Sequence, residues 1–220
     1  MKRRIMRIAL GLLTITLFSL SASAQEQETL FASPIEHGGF GAAVAKMTPI
    51  RGEMALMVGG YGGWLINHQF MLGGGGYGLV TNVRASSEAE AAYSPYDEPL
   101  YLEFGYGGVM LEYIIAPSKL VHINVNALIG GGGITYRDDW LNNWYDDMRG
   151  SDTDPHHYGR TEALFVVEPT VNVELNVTEW FRISAGASYR VVTGIDELRG
   201  IENKDLSGPS GQLALKFGAF

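Results

Sequence analysis

Between Phe165 and Val192 apolar and polar residues alternate almost without a break, and no other feature constrains the chain as tightly. Glu168, Thr170, Asn172, Glu174 and Asn176 share one parity, while Val167, Pro169, Val171, Val173, Leu175 and Val177 share the other. Period two marks a strand, because successive side chains point to opposite faces. After Thr178 and Glu179 the pattern resumes, with Arg182, Ser184, Gly186, Ser188 and Arg190 set against Phe181, Ile183, Ala185, Ala187, Tyr189 and Val191. The two runs form a hairpin. Its polar faces meet only if paired residue numbers sum to 356, with Glu174 opposite Arg182, or to 358, with Glu168 opposite Arg190. Either register gathers carboxylates and guanidiniums on one surface and leaves the other to Val, Ile and aromatics. A closed barrel with a polar, side-chain-filled lumen and an apolar wall turned to lipid satisfies both faces.

The chain's start agrees with export. Lys2, Arg3, Arg4 and Arg7 precede the apolar stretch Ile8 to Leu20, and Ser21-Ala22-Ser23-Ala24 supplies the small residues of a cleavage site, so residues 1–24 read as a secretory signal peptide. A helical anchor needs about 20 apolar residues, more than this stretch offers. The chain has no cysteine, which excludes lipoprotein attachment, disulfides and thiolate chemistry. All four charges of residues 1–24 are positive, so the remainder holds 12 Lys and Arg against 24 Asp and Glu, a net charge of −12 that argues against nucleic acid as a partner. No later apolar run reaches 18 residues, so helical spans are not expected. Residues 25–37 read as an N-terminal lead-in and 38–220 as one barrel domain.

Eight strands are expected, at about 38–48, 53–65, 70–83, 100–115, 119–136, the two arms of the hairpin, and 207–220. After a first turn at Thr48 to Gly52 the connections alternate: short at 67–69, 116–118 and 178–179, long at 84–99, 137–160 and 193–206. Outer-membrane barrels have an even strand number, short periplasmic turns and longer external loops. Trp64, Phe70, Tyr113, Trp180 and Phe181 lie beside the short turns, and Tyr101, Tyr136 and Tyr158 beside the long loops, as two interfacial aromatic girdles would. In this pattern nearly the whole chain after residue 24 resembles the small eight-stranded outer-membrane barrels of Gram-negative bacteria, the OmpA and OmpX kind. Its Gly-rich strands and the N-V-T-E-W-F turn followed by S-Y-R are similar to uncharacterised Bacteroidetes barrels. The resemblance implies an integral outer-membrane, antiparallel up-and-down transmembrane β-barrel. It further implies contact with outer-membrane lipids and lipopolysaccharide, and delivery by the outer-membrane assembly machinery, for which a terminal Phe such as Phe220 is a common signal. Here Leu213, Leu215, Phe217 and Ala219 form the outward set, which turns Phe220 inward unless a bulge intervenes.

The expected lumen charge network is Glu103, Glu168, Glu174, Arg182, Arg190 and Lys216, joined by Glu112 if a bulge near Gly107-Gly108 corrects its parity. Mixed charges inside eight strands imply a salt-bridged plug and not an open pore. The membrane girdle is assigned to Trp64, Tyr113, Trp180 and Phe181. In the third long loop, Trp140, Leu141, Trp144 and Tyr145 recur at helical spacing among Asp and Asn, which suits a short rim helix that lids the mouth or meets an extracellular partner. The acids of that loop with His156 and His157 read as a solvated face, the alternative being a cation site whose spacing is not that of an EF-hand.

Glycine makes up 29 of 220 residues, against a usual share of about 7%. It clusters at 59–63, 73–78, 105–108 and 130–133, which become neighbours across four strands. The cluster either permits tight coiling and makes room for bulky residues opposite, or leaves a groove for an acyl chain or small ligand. Residues 73–78 match G-x-G-x-x-G, but Leu79 to Val83 continues a strand where a nucleotide site opens a helix. Hydrolase and Walker signatures are missing, and His122 falls near a short turn as an inward, hydrogen-bonded residue. No catalytic residue, cofactor or metal is therefore expected. The reading is a closed barrel with a structural or surface-interaction role. The alternatives are a barrel binding an apolar ligand, a soluble lipocalin-like barrel with its faces reversed, and a lipid-modifying enzyme.

Overall fold

The computed structural model describes residues 34–94, 99–137 and 157–220, the side chains of 157–160 excepted. The expected signal peptide, most of the lead-in and the Trp140, Leu141, Trp144 and Tyr145 segment lie outside the described residues. Eight strands follow in order: β1 (His37–Ile50), β2 (Glu53–Ile66), β3 (Phe70–Leu79), β4 (Tyr101–Ile115), β5 (Val121–Arg137), β6 (His157–Asn176), β7 (Phe181–Thr193) and β8 (Gly208–Ala219). Each pairs antiparallel with the next, and β1 pairs with β8 from Gly39↔Ala219 to Met47↔Gly211, closing the barrel. Among the described residues two short helices lie in the long connections, α1 (Ser87–Tyr93) and α2 (Asn203–Leu206).

The first turn is tighter than its composition suggests. Arg51 and Gly52 both have positive φ, 52° and 80°, as a two-residue hairpin turn requires. Pro49 and Ile50 thus belong to β1. Pro49 lies beyond Met47, where pairing with β8 stops, so its missing N–H breaks no bond on that side. The expected strand from 70 to 83 ends at Leu79, and residues after it pack at the long-loop mouth.

The hairpin of β6 and β7 takes the second register, with Thr170↔Ser188 and Glu174↔Ser184. Its even-numbered residues from Glu168 to Glu174 and Arg182 to Arg190 point inward and are buried, Gly186 being half-buried, while the Val, Ile and Tyr set points outward. This polarity overturns the lipocalin-like alternative. β4 keeps one register with both neighbours over its paired length, so no bulge exists at Gly107-Gly108. The irregularity lies instead between Ile134 and Tyr136 against β6. There Ile134, Thr135 and Tyr136 are all buried, and Tyr136 leaves the expected outer girdle.

The four glycine clusters are contiguous. On the outer surface Gly60, Gly76, Gly107 and Gly131 form one row in register across β2 to β5. On the inner surface each of three buried tyrosines faces a glycine: Tyr61↔Gly75, Tyr77↔Gly59 and Tyr106↔Gly132. A Cβ added at Gly75, Gly59 or Gly132 would run into that tyrosine and into backbone. The rings therefore lie across their glycines and occupy the space that the bare wall opens. Gly132→Ala is expected to destabilise the folded barrel by roughly 1–3 kcal/mol through overpacking. Gly211→Ala, whose added methyl meets no atom within 4 Å, is expected to change stability by less than about 0.5 kcal/mol. Urea unfolding followed by tryptophan fluorescence measures both.

Candidate functional site

The lumen is charged along its length. Lys216 of β8 sits between two carboxylates, with Nζ 2.6 Å from Glu112 Oε1 and 2.5 Å from Glu174 Oε2. Arg182 Nη1 reaches Glu174 Oε1 at 3.1 Å, and His122 Nε2 lies 3.2 Å from the same oxygen. Asn124 Nδ2 donates to Glu174 Oε2 at 2.7 Å, Asn172 Nδ2 to Asn124 Oδ1 at 2.8 Å, and Gln212 Nε2 to Asn172 Oδ1 at 2.8 Å. This relay of amides runs round the wall from β8 and ends on the carboxylate, and each bond polarises the next. Tyr61 donates its hydroxyl to Glu112.

A second cluster is centred on Glu168. Lys46 Nζ lies 2.9 Å from its Oε2, and the hydroxyls of Tyr106 and Ser188 each donate to it at 2.6 Å. The Lys46 ammonium also stands 3.4 Å above the Tyr77 ring, in cation–π geometry. Arg190 is wholly buried and, among the described residues, meets no carboxylate at ion-pair distance. Its Nε donates to Leu206 O at 2.7 Å, with Met57 Sδ and Thr48 Oγ1 as further acceptors. Arg190 thereby ties the lumen to the last residue of α2.

The long-loop mouth is capped by apolar packing. Val83, Leu100, Leu102, Tyr136, Ile195, Leu198, Ile201 and Leu206 join the buried cluster. Backbone and side-chain bonds lock the cap: Tyr136 donates to Arg199 O, Ser86 to Gly200 O, and Arg51 to Arg84 O. Glu162 accepts from the backbone N–H groups of Asp196 and Glu197. On the exposed rim Arg84 grips Glu90 through two hydrogen bonds, which hold the Glu90 carboxyl below its usual range despite the opposing effect of partial burial.

Glu168, Glu174, Arg182, Arg190 and Lys216 all lie in the lumen, each at least nine-tenths buried. Glu103 does not. With β4 in continuous register, Glu103 and Glu112 must face opposite ways; Glu112 is buried and Glu103 is exposed on the outer wall near the long-loop end. Glu174 and Arg182 pair diagonally, since Asn176 is the residue directly opposite Arg182. Trp64, Tyr113 and Trp180 are exposed at the short-turn end with Phe181 half-buried beside them, and Trp180, Phe181 and Phe217 stack as one outward group. β8 has no bulge, so Phe217 is outward and Phe220 turns inward, its ring 5.4 Å from Phe40 and 3.8 Å from the Arg182 guanidinium. Sequence reasoning missed Lys46, the Tyr77 ring beneath it, and the hydroxyls of Tyr61 and Tyr106. The signal for Lys46 was parity, because it alternates in step with Phe40, Val44 and Thr48.

An inside-out polarity on eight closed antiparallel strands decides the architecture. The fold is a closed, eight-stranded, antiparallel up-and-down β-barrel with a polar interior and an apolar outer wall. Among solved structures the chain is similar to the N-terminal barrel domain of Pseudomonas aeruginosa OprF, at 10% identity over 82% of this chain and 96% of that one, with a TM-score of 0.47. Neisserial surface protein A matches at 13% identity over 84% and 97%, TM-score 0.47. Ail, the attachment invasion locus protein of Yersinia pestis, matches at 11% identity over 83% and 96%, TM-score 0.42. No protein-family model and no curated protein sequence matches the chain.

Removing one member of a buried ion pair leaves the other charge uncompensated and costs about 3–5 kcal/mol, whereas replacing both by apolar groups is often neutral. Glu112→Gln is therefore expected to destabilise less than Glu174→Gln, because Lys216 keeps Glu174 in the first case while Arg182 and Lys216 both lose a partner in the second. Unfolding midpoints of the two variants in urea provide the comparison; equal losses would mean that the two carboxylates act independently of Lys216.

Proposed function

We propose that the protein is an integral outer-membrane β-barrel with a closed, salt-bridged lumen and a structural or surface-interaction role, without catalytic activity. The observation that carries this reading is the inverted polarity of the wall. Val171, Val173 and Leu213 are 54–62% exposed, while Glu174, Arg190 and Lys216 inside are 0% exposed. In water such a wall exposes apolar area far beyond the few hundred Å² of a normal surface patch; in a bilayer the same wall is solvated by acyl chains, and each strand pairs with both neighbours round the closed sheet. The rings of Trp64, Tyr113, Trp180 and Phe181 then belong at the periplasmic interface, and the capped long-loop end faces outward.

The interior supports a plug and not a channel, because the ion pairs span the lumen and tyrosine rings cover its glycines. That leaves the outer rim as the surface for partners, including lipopolysaccharide and an extracellular molecule that the Trp140 to Tyr145 segment would meet. Delivery through the outer-membrane assembly machinery follows from the location. The test is heat modifiability on an SDS gel of the outer-membrane fraction, boiled against unboiled. A detergent-resistant band that migrates differently before boiling is expected; recovery in the soluble periplasmic fraction with no shifted band would overturn the membrane assignment. In planar bilayers the intact protein is expected to give no large stable pore, and Arg182→Ala to raise conductance if that guanidinium holds the plug. An unchanged trace in a variant that still shows the gel shift would remove Arg182 from that role.

A further inference from the structure

At the short-turn end of the lumen two demands meet on His122 and conflict. Its side chain has no exposed surface, and both ring nitrogens lie at hydrogen-bond distance from acceptors: Nδ1 is 3.1 Å from Lys119 O and Nε2 is 3.2 Å from Glu174 Oε1. A carbonyl and an ionised carboxylate only accept, so both contacts are hydrogen bonds only when both nitrogens carry hydrogen, as in the imidazolium. Charge asks for the opposite. The charged groups joined to the ring, directly or through a shared partner, are Glu174 on β6, Arg182 on β7, Lys216 on β8 and Glu112 on β4, with the Tyr61 hydroxyl of β2 donating to Glu112. The Lys119 side chain is exposed. Two carboxylates therefore meet two cations: the cluster balances around a neutral ring and holds one unmatched positive charge around an imidazolium.

Each protonation state satisfies one demand and breaks the other. With a single hydrogen the ring keeps its bond to the carboxylate, because a charge-assisted hydrogen bond is roughly twice as strong as a neutral one. The bond to Lys119 O is then lost, and a bare ring nitrogen faces that oxygen. Lys119 closes the turn between β4 and β5, where its N–H donates to Ala116 O at 3.0 Å. Ala116 has φ 55°, in the left-handed region that a residue with a Cβ seldom occupies, so side-chain bonds hold the turn against a backbone preference. Those bonds come from His122 and from Asn176, whose Nδ2 donates to the carbonyls of Pro117 and Lys119. The turn also forms part of a cavity of about 420 Å³, which Pro117 and Ser118 line together with His68, Thr178, Arg182 and Phe220.

We propose that His122 is a pH-dependent latch on the turn at residues 116–119. Charged, it ties the turn to Glu174 and holds Pro117 and Ser118 in place as cavity wall. Neutral, it lets go of Lys119 O, and the turn and the wall it forms loosen. Histidine is the side chain that ordinarily changes charge between about pH 5 and pH 8, so the two ends of that window are where the latch is read. The latch works inside the barrel and does not depend on what surrounds the outer wall, so it stands apart from the membrane reading, which the gel shift decides.

The experiment is NMR of the full folded chain in detergent with isotope-labelled histidine, at about pH 5 and about pH 8. Among the described residues His122 is the histidine whose ring is shielded from water, so its ring N–H groups are the slowly exchanging ones. Two such signals are expected at the acid end and one at the other. In parallel, Ser118→Cys gives a chain that has no cysteine a single site for a nitroxide label on the turn. Its EPR spectrum is expected to shift toward the mobile component as pH rises between the same two values. That shift is expected to persist in His68→Gln, which removes the other ring at the cavity, and to be lost in His122→Gln. Should His122→Gln fail to give the unboiled band on the gel, the ring signals of the unsubstituted chain decide alone. The proposal is overturned if the number of slowly exchanging ring N–H signals is the same at both ends, if the nitroxide shift is absent or disappears with His68→Gln, or if it survives in a folded His122→Gln chain.

Discussion

The structure depends on one constraint: a charge withdrawn from water inside a narrow wall must meet an opposite charge or, as Arg190 does, hydrogen-bond acceptors. A lone buried charge costs several kcal/mol even after relaxation, and its partner recovers that only with good geometry and further hydrogen bonds. Lys216 meets the condition by lying between Glu112 and Glu174, which belong to strands on other parts of the barrel. Glu174 in turn serves Arg182, His122 and Asn124. Strands β4 to β8 are tied through one carboxylate pair, so closure of the sheet and neutralisation of its interior are the same event.

The two sides of the lumen solve the packing problem differently. From β5 to β8 many inward positions carry Asn, Thr, Ser, Gln and Glu beside Arg182, Arg190 and Lys216, and the amides and carboxylates bond across the wall. From β1 to β4 the inward positions are dominated by Phe, Tyr, Met and Gly beside the charged Lys46 and Glu112, with Tyr61, Tyr77 and Tyr106 each laid over a residue that has no side chain. Gly186 shows how the polar side depends on the same device. A Cβ there would strike Asn172 Oδ1, the acceptor that Gln212 uses, so the missing methyl leaves room for the amide relay.

The ends of the barrel differ as well. At the long-loop end apolar residues and two short helices close the lumen, with Arg190 reaching up from inside to the carbonyl of Leu206. At the short-turn end the aromatic group outside and the Phe220 ring inside flank an open cavity. The two ends of the barrel are therefore different surfaces, and the lumen between them is occupied by ion pairs.

Much of this was legible in the residues alone. Period two in β6 and β7 set the inward and outward faces, because a strand has no other way to sort its side chains. The spacing of turn residues gave eight strands with alternating short and long connections, and parity turned Phe220 inward. What the chain could not reveal locally was register between strands far apart in sequence. Glu103 and Glu112 each look fit for a lumen, and only unbroken pairing of β4 with β3 and β5 shows that one must face out. Lys46 lies 122 positions from Glu168, and their pairing exists only because closure brings β1 round to the lumen that β6 lines. Glycine next to tyrosine is equally invisible in sequence, since Tyr106 and Gly132 meet through the register of β4 and β5. Alternation is a property of one strand, written residue by residue; compensation of charge and volume is a property of the closed sheet.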